Sequence, residues 1–464
     1  MKTTTSCTPS TCKVRREELG SKRAPGWEWQ KDGAQVRRAP VRGLRVGEPD
    51  ATLSSVGGLV SFNAFVQREG IGGALRRDFG GLKKGRQVVY PMHTQMQLLI
   101  DASVVGAKRV FDFESLAADP LFVHLAGGAM PSIDVLYDDL RRFTPSALTK
   151  LEERVAAQGL KPVQDTRFKT LTVDIDTTVT PLFGEQEGAL PGPNPHYHGR
   201  PSYHPIIARI AETDTVLGAL LRPGNTGLGE NEAKTIKRWI MRLHEASPRS
   251  SVTVRVDAGG DCAALLSAIH DAGAHFVVKA KQTANLLAAV LAATQWKTVD
   301  RDAFEKPTRQ IAHLEFKRAD WPAGFRVFAV RTTERDSGKQ VCLWNDLDHS
   351  VSIYITNDWV RDSDDLARLY DDRAAIEPLI AELKNAFGIG KVSTADFAAN
   401  HAAFLIKLLA YNLMRRWALQ LAAGTIVSRW RAAWIRRACV LVPARLLRSG
   451  GRWQIRLAPR PLLN

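Results

Sequence analysis

The period of the apolar pattern changes at residue 168, and that change constrains the fold more than any other feature of the chain. Residues 168–176 (FKTLTVDID) alternate apolar and polar side chains, as a half-buried strand does. Residues 205–211 and 216–221 read as further strands, the second closed by the turn Arg222-Pro-Gly-Asn225. An amphipathic helix over 231–246 follows, then a strand at 251–257 (SVTVRVD), a helix at 262–272 and a strand at 275–281 (HFVVKAK). Strands alternating with helices predict an α/β core with some parallel strands. Residues 296–356 turn β-rich, helical spacing returns over 362–385, and 398–421 reads as a largely apolar helix. Upstream, 51–160 reads as helical. Residues 132–143 start at a Ser cap, and 144–158 start at Thr144 with Pro145 in the first turn, where its missing N–H costs little.

A chain of 464 residues has room for two to four domains and a large core. Its 44% hydrophobic and 24% charged residues exclude wholesale disorder and collagen-like or disulfide-framework classes. The net charge of +16 points to a polyanionic partner, nucleic acid first. That charge is uneven. Residues 1–46 hold eleven Lys/Arg against four Asp/Glu, and 397–464 hold twelve against none, which leaves −3 for the stretch between. The two ends are basic and the body is near neutral. Five scattered cysteines without a CxxC pair fit a reducing cytoplasm. The N-terminus lacks the apolar stretch of a signal peptide, and no apolar run is long enough to span a membrane; 402–413 is too short and contains Lys407.

Carboxylates mark the candidate chemistry. Asp174 and Asp176 lie two apart on one strand and so share a face. Asp176 ends that strand before Thr177-Thr178, and Asp257 ends another before Ala-Gly-Gly. Carboxylates at the C-terminal ends of neighbouring strands meet at the binding edge of an α/β sheet and form a hard-oxygen site suited to Mg²⁺ or Mn²⁺. The plainer reading is that both are turn formers. The helix at 362–385 adds Tyr370, Arg373, Glu377 and Lys384 at intervals of three, four and seven, which places all four on one stripe. Arg373 and Glu377 could form an ordinary surface ion pair; the same cations would keep Glu377 ionised, as a metal ligand must be.

These residues carry a resemblance. YDDRAAIEPLIAELK resembles the Tyr-x2-Arg-x3-Glu-x6-Lys signature of insertion-sequence transposases of the DDE class. LTVDIDTTVT is similar to their first-Asp strand, VRVDAGGD to the second-Asp strand, and HFVVKAK to the strand after it. GEQEGALPG, then NP, then SYHP are similar to the run after the first Asp in the IS-thirteen-eighty branch of the IS-four-like group, and YITNDW before the last helix also fits. The resemblance spans roughly residues 50–420. It departs at Gly260, where an aromatic is usual, and at Pro193, where Tyr is common.

The resemblance implies an RNase H-like fold with a β-rich insertion at 283–360 between the second and third carboxylates. It implies Asp176, Asp257 and Glu377 as the catalytic, metal-holding carboxylates. Tyr370, Arg373 and Lys384 match DNA-facing positions, with Lys279 on the strand after the second carboxylate placed beside them. Two Mg²⁺ or Mn²⁺ ions, about 3.5–4 Å apart in such sites, would clamp the scissile phosphate for cutting and joining. Double-stranded DNA (terminal inverted repeats and target) and a synaptic homodimer are the implied partners, in a bacterial cytoplasm with the nucleoid. The corresponding layout is a basic arm at 1–46, a helical DNA-binding domain at 47–165, core segments at 166–282 and 361–395 around the insertion, and a helical basic region at 396–464. An RNase H-like nuclease or resolvase without strand transfer, and a non-catalytic DNA-binding derivative, are the alternatives.

His196, His198 and His204 cluster in a Pro/Gly-rich loop but lack a fourth zinc ligand at usual spacing. Asp174 is the substitute for Asp176, whereas Glu382 lies too far round the helix to replace Glu377. A Trp of the insertion, Trp344 before Trp296 and Trp359, could stack on a flipped base. Arg429, Arg431, Arg436, Arg437, Arg445, Arg448, Arg452, Arg456 and Arg460, interleaved with Trp417, Trp430, Trp434 and Trp453, suit a DNA backbone; a solvated basic helix or dimer contacts would use them equally well.

Overall fold

The computed structural model describes residues 45, 47–192, 194, 197–321, 324–333, 349–421, 423 and 426–459. All but Arg45 of the expected basic arm lies outside them, as do His196, Trp344 and Arg460. The centre is a nine-stranded sheet: β1 Thr170–Thr177, β2 Ile206–Ile210, β3 Thr215–Leu220, β4 Ser251–Val256, β5 His275–Lys279, β6 Lys297–Arg301, β7 Pro307–Leu314, β8 Arg326–Thr333 and β9 His349–Thr356. Their order is β6-β7-β8-β9-β5-β4-β1-β2-β3. Strands β1, β2 and β3 form an antiparallel meander; β4 and β5 add parallel to β1 through helical crossovers. Strand β9 joins β5 antiparallel, so the β-rich stretch extends the same sheet.

Alternation decides what each face does. The odd residues Leu171, Val173 and Ile175 of β1 and the even residues Val252, Val254 and Val256 of β4 are buried on one face. There they pack on helices α6 (Glu230–Ala246) and α7 (Ala263–Asp271), with Trp239 and Ile269 among the contacts. The opposite phase carries Asp174, Asp176 and Arg255, and lies under α9 (Ser363–Asp371) and α10 (Ile376–Ala386).

The helices before the sheet share a second core with the last long helix. They are α1 (Leu59–Arg68), α2 (Ile71–Phe79), α3 (Met92–Val105), α4 (Ile133–Leu140) and α5 (Pro145–Asp165); α8 is Ala284–Ala292, and α11 is Phe397–Leu421. The expected caps form: Ser132 Oγ accepts the Val135 N–H and Thr144 Oγ1 that of Ala147. Helix α11 is buried on most of its circumference, which explains its near-continuous apolar sequence. Its polar residues are paired. Asn412 accepts the Val216 N–H at 2.9 Å and donates to Val216 O and Val155 O. Lys407 donates to Gly388 O at 2.8 Å and Lys391 O at 3.2 Å, and burial draws its pKa down to about 7. Among the described residues no helix is long and apolar enough to cross a membrane.

Two expectations are corrected. The helix expected over 362–385 is broken by a tight 3₁₀ turn, Asp372–Ala375. Pro378 lacks an N–H and its ring excludes the carbonyl four residues back, so it fits only in the first turn of a new helix. The region at 396–464, expected to be a helical basic region, ends in a β-hairpin, Ala444–Ser449 with Arg452–Leu457, whose first strand pairs with Leu53–Ser54. Gly450 and Gly451 have φ of +57° and +75°, the double left-handed turn that joins twisted antiparallel strands.

Candidate active site

Asp176 and Asp257 arrive at one edge because β1 and β4 are parallel neighbours in register. Ile175 pairs with Val256, and the two aspartates are the next residues on each strand. Asp257 then caps the 3₁₀ turn Ala258–Gly260, accepting the Gly259 N–H at 3.0 Å. That turn explains Gly260: a Cβ there would meet Val256 Cγ1 at 2.4 Å, so no aromatic fits on this backbone. Asp176 Oδ1 accepts the N–H of Thr177 at 2.8 Å.

The turn between α9 and α10 brings a cation over this edge. Arg373 Nη1 lies 3.3 Å from Asp176 Oδ2, and its guanidinium carbon 5.8 Å from the Tyr370 ring centre. Tyr370 is buried, edge-on to Tyr354 at 5.1 Å. Burial raises the Asp176 pKa, Arg373 opposes that, and the charge of Asp257 adds to it. The Tyr370 hydroxyl is likewise pushed up, by burial first, and feels Arg373, Asp257 and Asp176. Four of the expected residues thus form one cluster of interacting charges.

The others are placed as follows. Lys384 Nζ donates to Val179 O at 3.0 Å, just past the end of β1, and burial lowers its pKa. Lys279 ends β5 opposite Tyr354, in phase with Val277 on the α9 side of the sheet. Glu377, in the first turn of α10, is exposed and makes no hydrogen bond or ion pair with either aspartate. The 3₁₀ turn changes the helical phase between Arg373 and Glu377, so the stripe is not continuous. Among the described residues no three His, Cys, Asp or Glu side chains are close enough together to hold a metal ion.

Asp174, the substitute for Asp176, is fully enclosed. Arg255 reaches its two oxygens at 2.6 and 2.9 Å, and Arg209 Nη1 one of them at 3.0 Å. Arg255 also donates to Leu369 O, tying β4 to α9. Sequence reading did not single out these arginines. Their signal was positional: Arg255 precedes Asp257 by two residues on one strand, and Arg209 pairs with Asp174 across β1 and β2. Glu382 is buried and accepts the Ala432 N–H, away from the edge. His204 Nδ1 donates to Thr226 O at 3.0 Å; burial lowers its pKa while Asp257 is near enough to oppose the shift. His198 is exposed. Trp296 Nε1 donates to Ala293 O, and Arg331 sits 4.2 Å from its ring centre. Trp359 follows β9 at the end where Thr356 pairs with Val277, the sheet edge opposite the aspartates, and donates to Gly324 O. In the C-terminal segment Arg436 is buried, donating to Val104 O and Ser103 O, and Arg445 pairs with Asp50. Arg448, Arg452 and Arg456 are exposed on the hairpin.

Residues 38–461 match the family model described as transposase DDE domain group 1. The chain belongs to that family and is a DDE transposase. No curated protein matches the sequence. Among solved structures, a piggyBac transposase synaptic complex with hairpin DNA is similar at 10% identity and a TM-score of 0.41, covering 82% of this chain and 78% of that one. A Drosophila P element transposase strand transfer complex is similar at 12% identity and a TM-score of 0.22, covering 43% and 45%.

Proposed function

We propose that this chain is an insertion-sequence transposase of the IS-thirteen-eighty type within the IS-four-like group. It cuts DNA at the element's terminal repeats and joins those ends to target DNA. The strand order β3-β2-β1-β4-β5, with an antiparallel meander followed by two parallel strands, supports an RNase H-like core. The observation that carries the reading is the juxtaposition of Asp176 and Asp257 on adjacent parallel strand ends beneath Tyr370 and Arg373.

Divalent metal fits the donors present. Two partly buried carboxylates repel each other, and the pKa of Asp176 is raised; a dication relieves both penalties. Asp176 and Asp257 would hold Mg²⁺ or Mn²⁺, and Glu377, in the first turn of α10, would be the third carboxylate of the set. Metal bound there supplies polarisation of the scissile phosphate and activation of the attacking water or 3′-OH. Arg373 pairs with Asp176 at 3.3 Å, and its guanidinium would also be in reach of a phosphate held at this edge. Lys279, Lys384 and Tyr370 line the approach of the DNA strand. Arg452 and Arg456 share one face of the hairpin and Arg448 lies on the other; these exposed cations suit backbone phosphates, and a homodimer would hold two ends at once.

The test is Asp257→Asn assayed on DNA carrying the element's ends with Mg²⁺. Loss of cleavage with an unchanged fold is expected, and full retained activity would overturn the assignment. Strand-transfer products separate a transposase from a nuclease that only cuts. Short inverted repeats and a direct target duplication flanking the gene are the matching genomic observation.

A further inference from the structure

Between β1 and β2 the chain does not turn back at once. The antiparallel ladder runs on past the aspartate edge: Thr178 N–H donates to Pro205 O, Thr180 pairs with Tyr203, Pro181 with Ser202, and Leu182 N–H donates to Pro201 O. The base of this arm is fixed to the core. Tyr203 is buried, its hydroxyl donates to Glu187 O at 2.7 Å, and its ring meets Phe397 of α11 edge-on at 5.4 Å.

At the end of that ladder lies an arrangement the catalytic edge does not use. Phe183 is 75% exposed and Tyr197 49% exposed, yet their rings meet edge to face at 6.3 Å. The Arg200 guanidinium lies over both, 4.5 Å from the Phe183 centre and 5.9 Å from that of Tyr197. No carboxylate pairs with Arg200 among the described residues. An open groove of about 540 Å³ runs beside Phe183, Arg200 and His198. Single exposed aromatic side chains are ordinary on protein surfaces. Two clustered rings with a stacked, unpaired guanidinium match what unpaired bases bind, namely a π-face beside a cation for the phosphate. Phe183 is seven residues beyond Asp176, at most about 23 Å along an extended strand. A few unpaired nucleotides running from a phosphate at the aspartates would reach it.

We infer that Phe183, Tyr197 and Arg200 form a stacking platform for an unpaired nucleobase of the strand that leaves the cleavage edge. The inference rests on the transposase reading above and adds a single-strand contact to it. The rings take the base face, and Arg200 takes the adjoining phosphate. The arm is rigid at its root, so the platform holds the strand end at a set distance from the aspartates.

The test uses the full-length protein and two DNA probes in Ca²⁺: a blunt duplex, and the same duplex with a short single-stranded overhang carrying 2-aminopurine. The wild type should bind the overhang probe more tightly and quench its fluorescence. In Phe183→Ala/Tyr197→Ala the overhang affinity should fall about tenfold and the quenching disappear, with blunt-duplex binding unchanged. Phe183→Trp should retain both signals, which separates lost stacking from lost folding. Equal overhang binding and quenching by the double-alanine variant, or no preference of the wild type for the overhang, would overturn the platform. Cleavage by the wild type and its loss in Asp257→Asn report on the transposase reading independently.

Discussion

Asp174 and Asp176 share a strand and a face, yet one closes a layer and the other opens one. Asp174 is fully buried with Arg255 and Arg209 on its oxygens. Asp176, two residues nearer the edge, has among the described residues only Arg373 at 3.3 Å for a charge partner, and Asp257 repels it. The difference is the supply of cations. The inner layer receives an arginine from each neighbouring strand; the outer layer receives one from a helical turn and keeps a surplus of negative charge. A surplus at a half-buried edge is what a metal or phosphate-bound metal would satisfy.

Several changes would break or sharpen that contrast. The largest effect belongs to the outer layer. Asp257→Asn should lower Mg²⁺-dependent DNA cleavage by at least about a thousandfold while leaving the thermal unfolding midpoint near that of the wild type, measured by product formation and calorimetry. The inner layer should behave in reverse. Asp174→Ala strands two buried guanidinium groups and should cost about 3–5 kcal/mol in denaturant unfolding. A loss of activity without a loss of stability there would mean that the inner layer also touches substrate.

A pH series separates the two layers next. The folded-state pKa of Asp176 lies above its unfolded value, so its contribution is fully present below the ordinary Asp range and is lost as pH rises through the raised value. Asp176→Asn should therefore unfold at slightly higher denaturant than the wild type at neutral pH, and at equal denaturant in strong acid. Rising Mg²⁺ should move the acid limb of wild-type activity to lower pH, because metal and proton compete for the same oxygens. The smallest effect lies furthest away. Replacing Arg448, Arg452 and Arg456 by Ala should reduce the slope of log binding constant against log salt by about 2–3 without altering cleavage at saturating DNA. An unchanged slope would remove the hairpin from the DNA path.

Much of this was legible in local patterns. The alternation in FKTLTVDID and SVTVRVD, the caps at Ser132 and Thr144, and the strand-end positions of Asp176 and Asp257 correspond to β1, β4, α4, α5 and the sheet edge where the two aspartates meet. The hairpin at 444–457 was legible too, since Gly450-Gly451 sits between alternating runs, but its many arginines make the charge more conspicuous than the period. The break at 372–375 was carried by Pro378, which an even Tyr-Arg-Glu-Lys spacing masked. Neither the enclosure of Asp174 nor the exposure of Phe183 had a local signature.

What the sequence determined by itself was which residues alternate, which end strands and which chemistry the carboxylates and cations permit, because backbone period and side-chain type are local properties. Only the tertiary structure decided that Asp174 is closed and Asp176 open. The charge state of a carboxylate depends on which cations parallel and antiparallel neighbours bring within a few ångströms, and Arg255 and Arg209 come from strands 81 and 35 residues away in sequence.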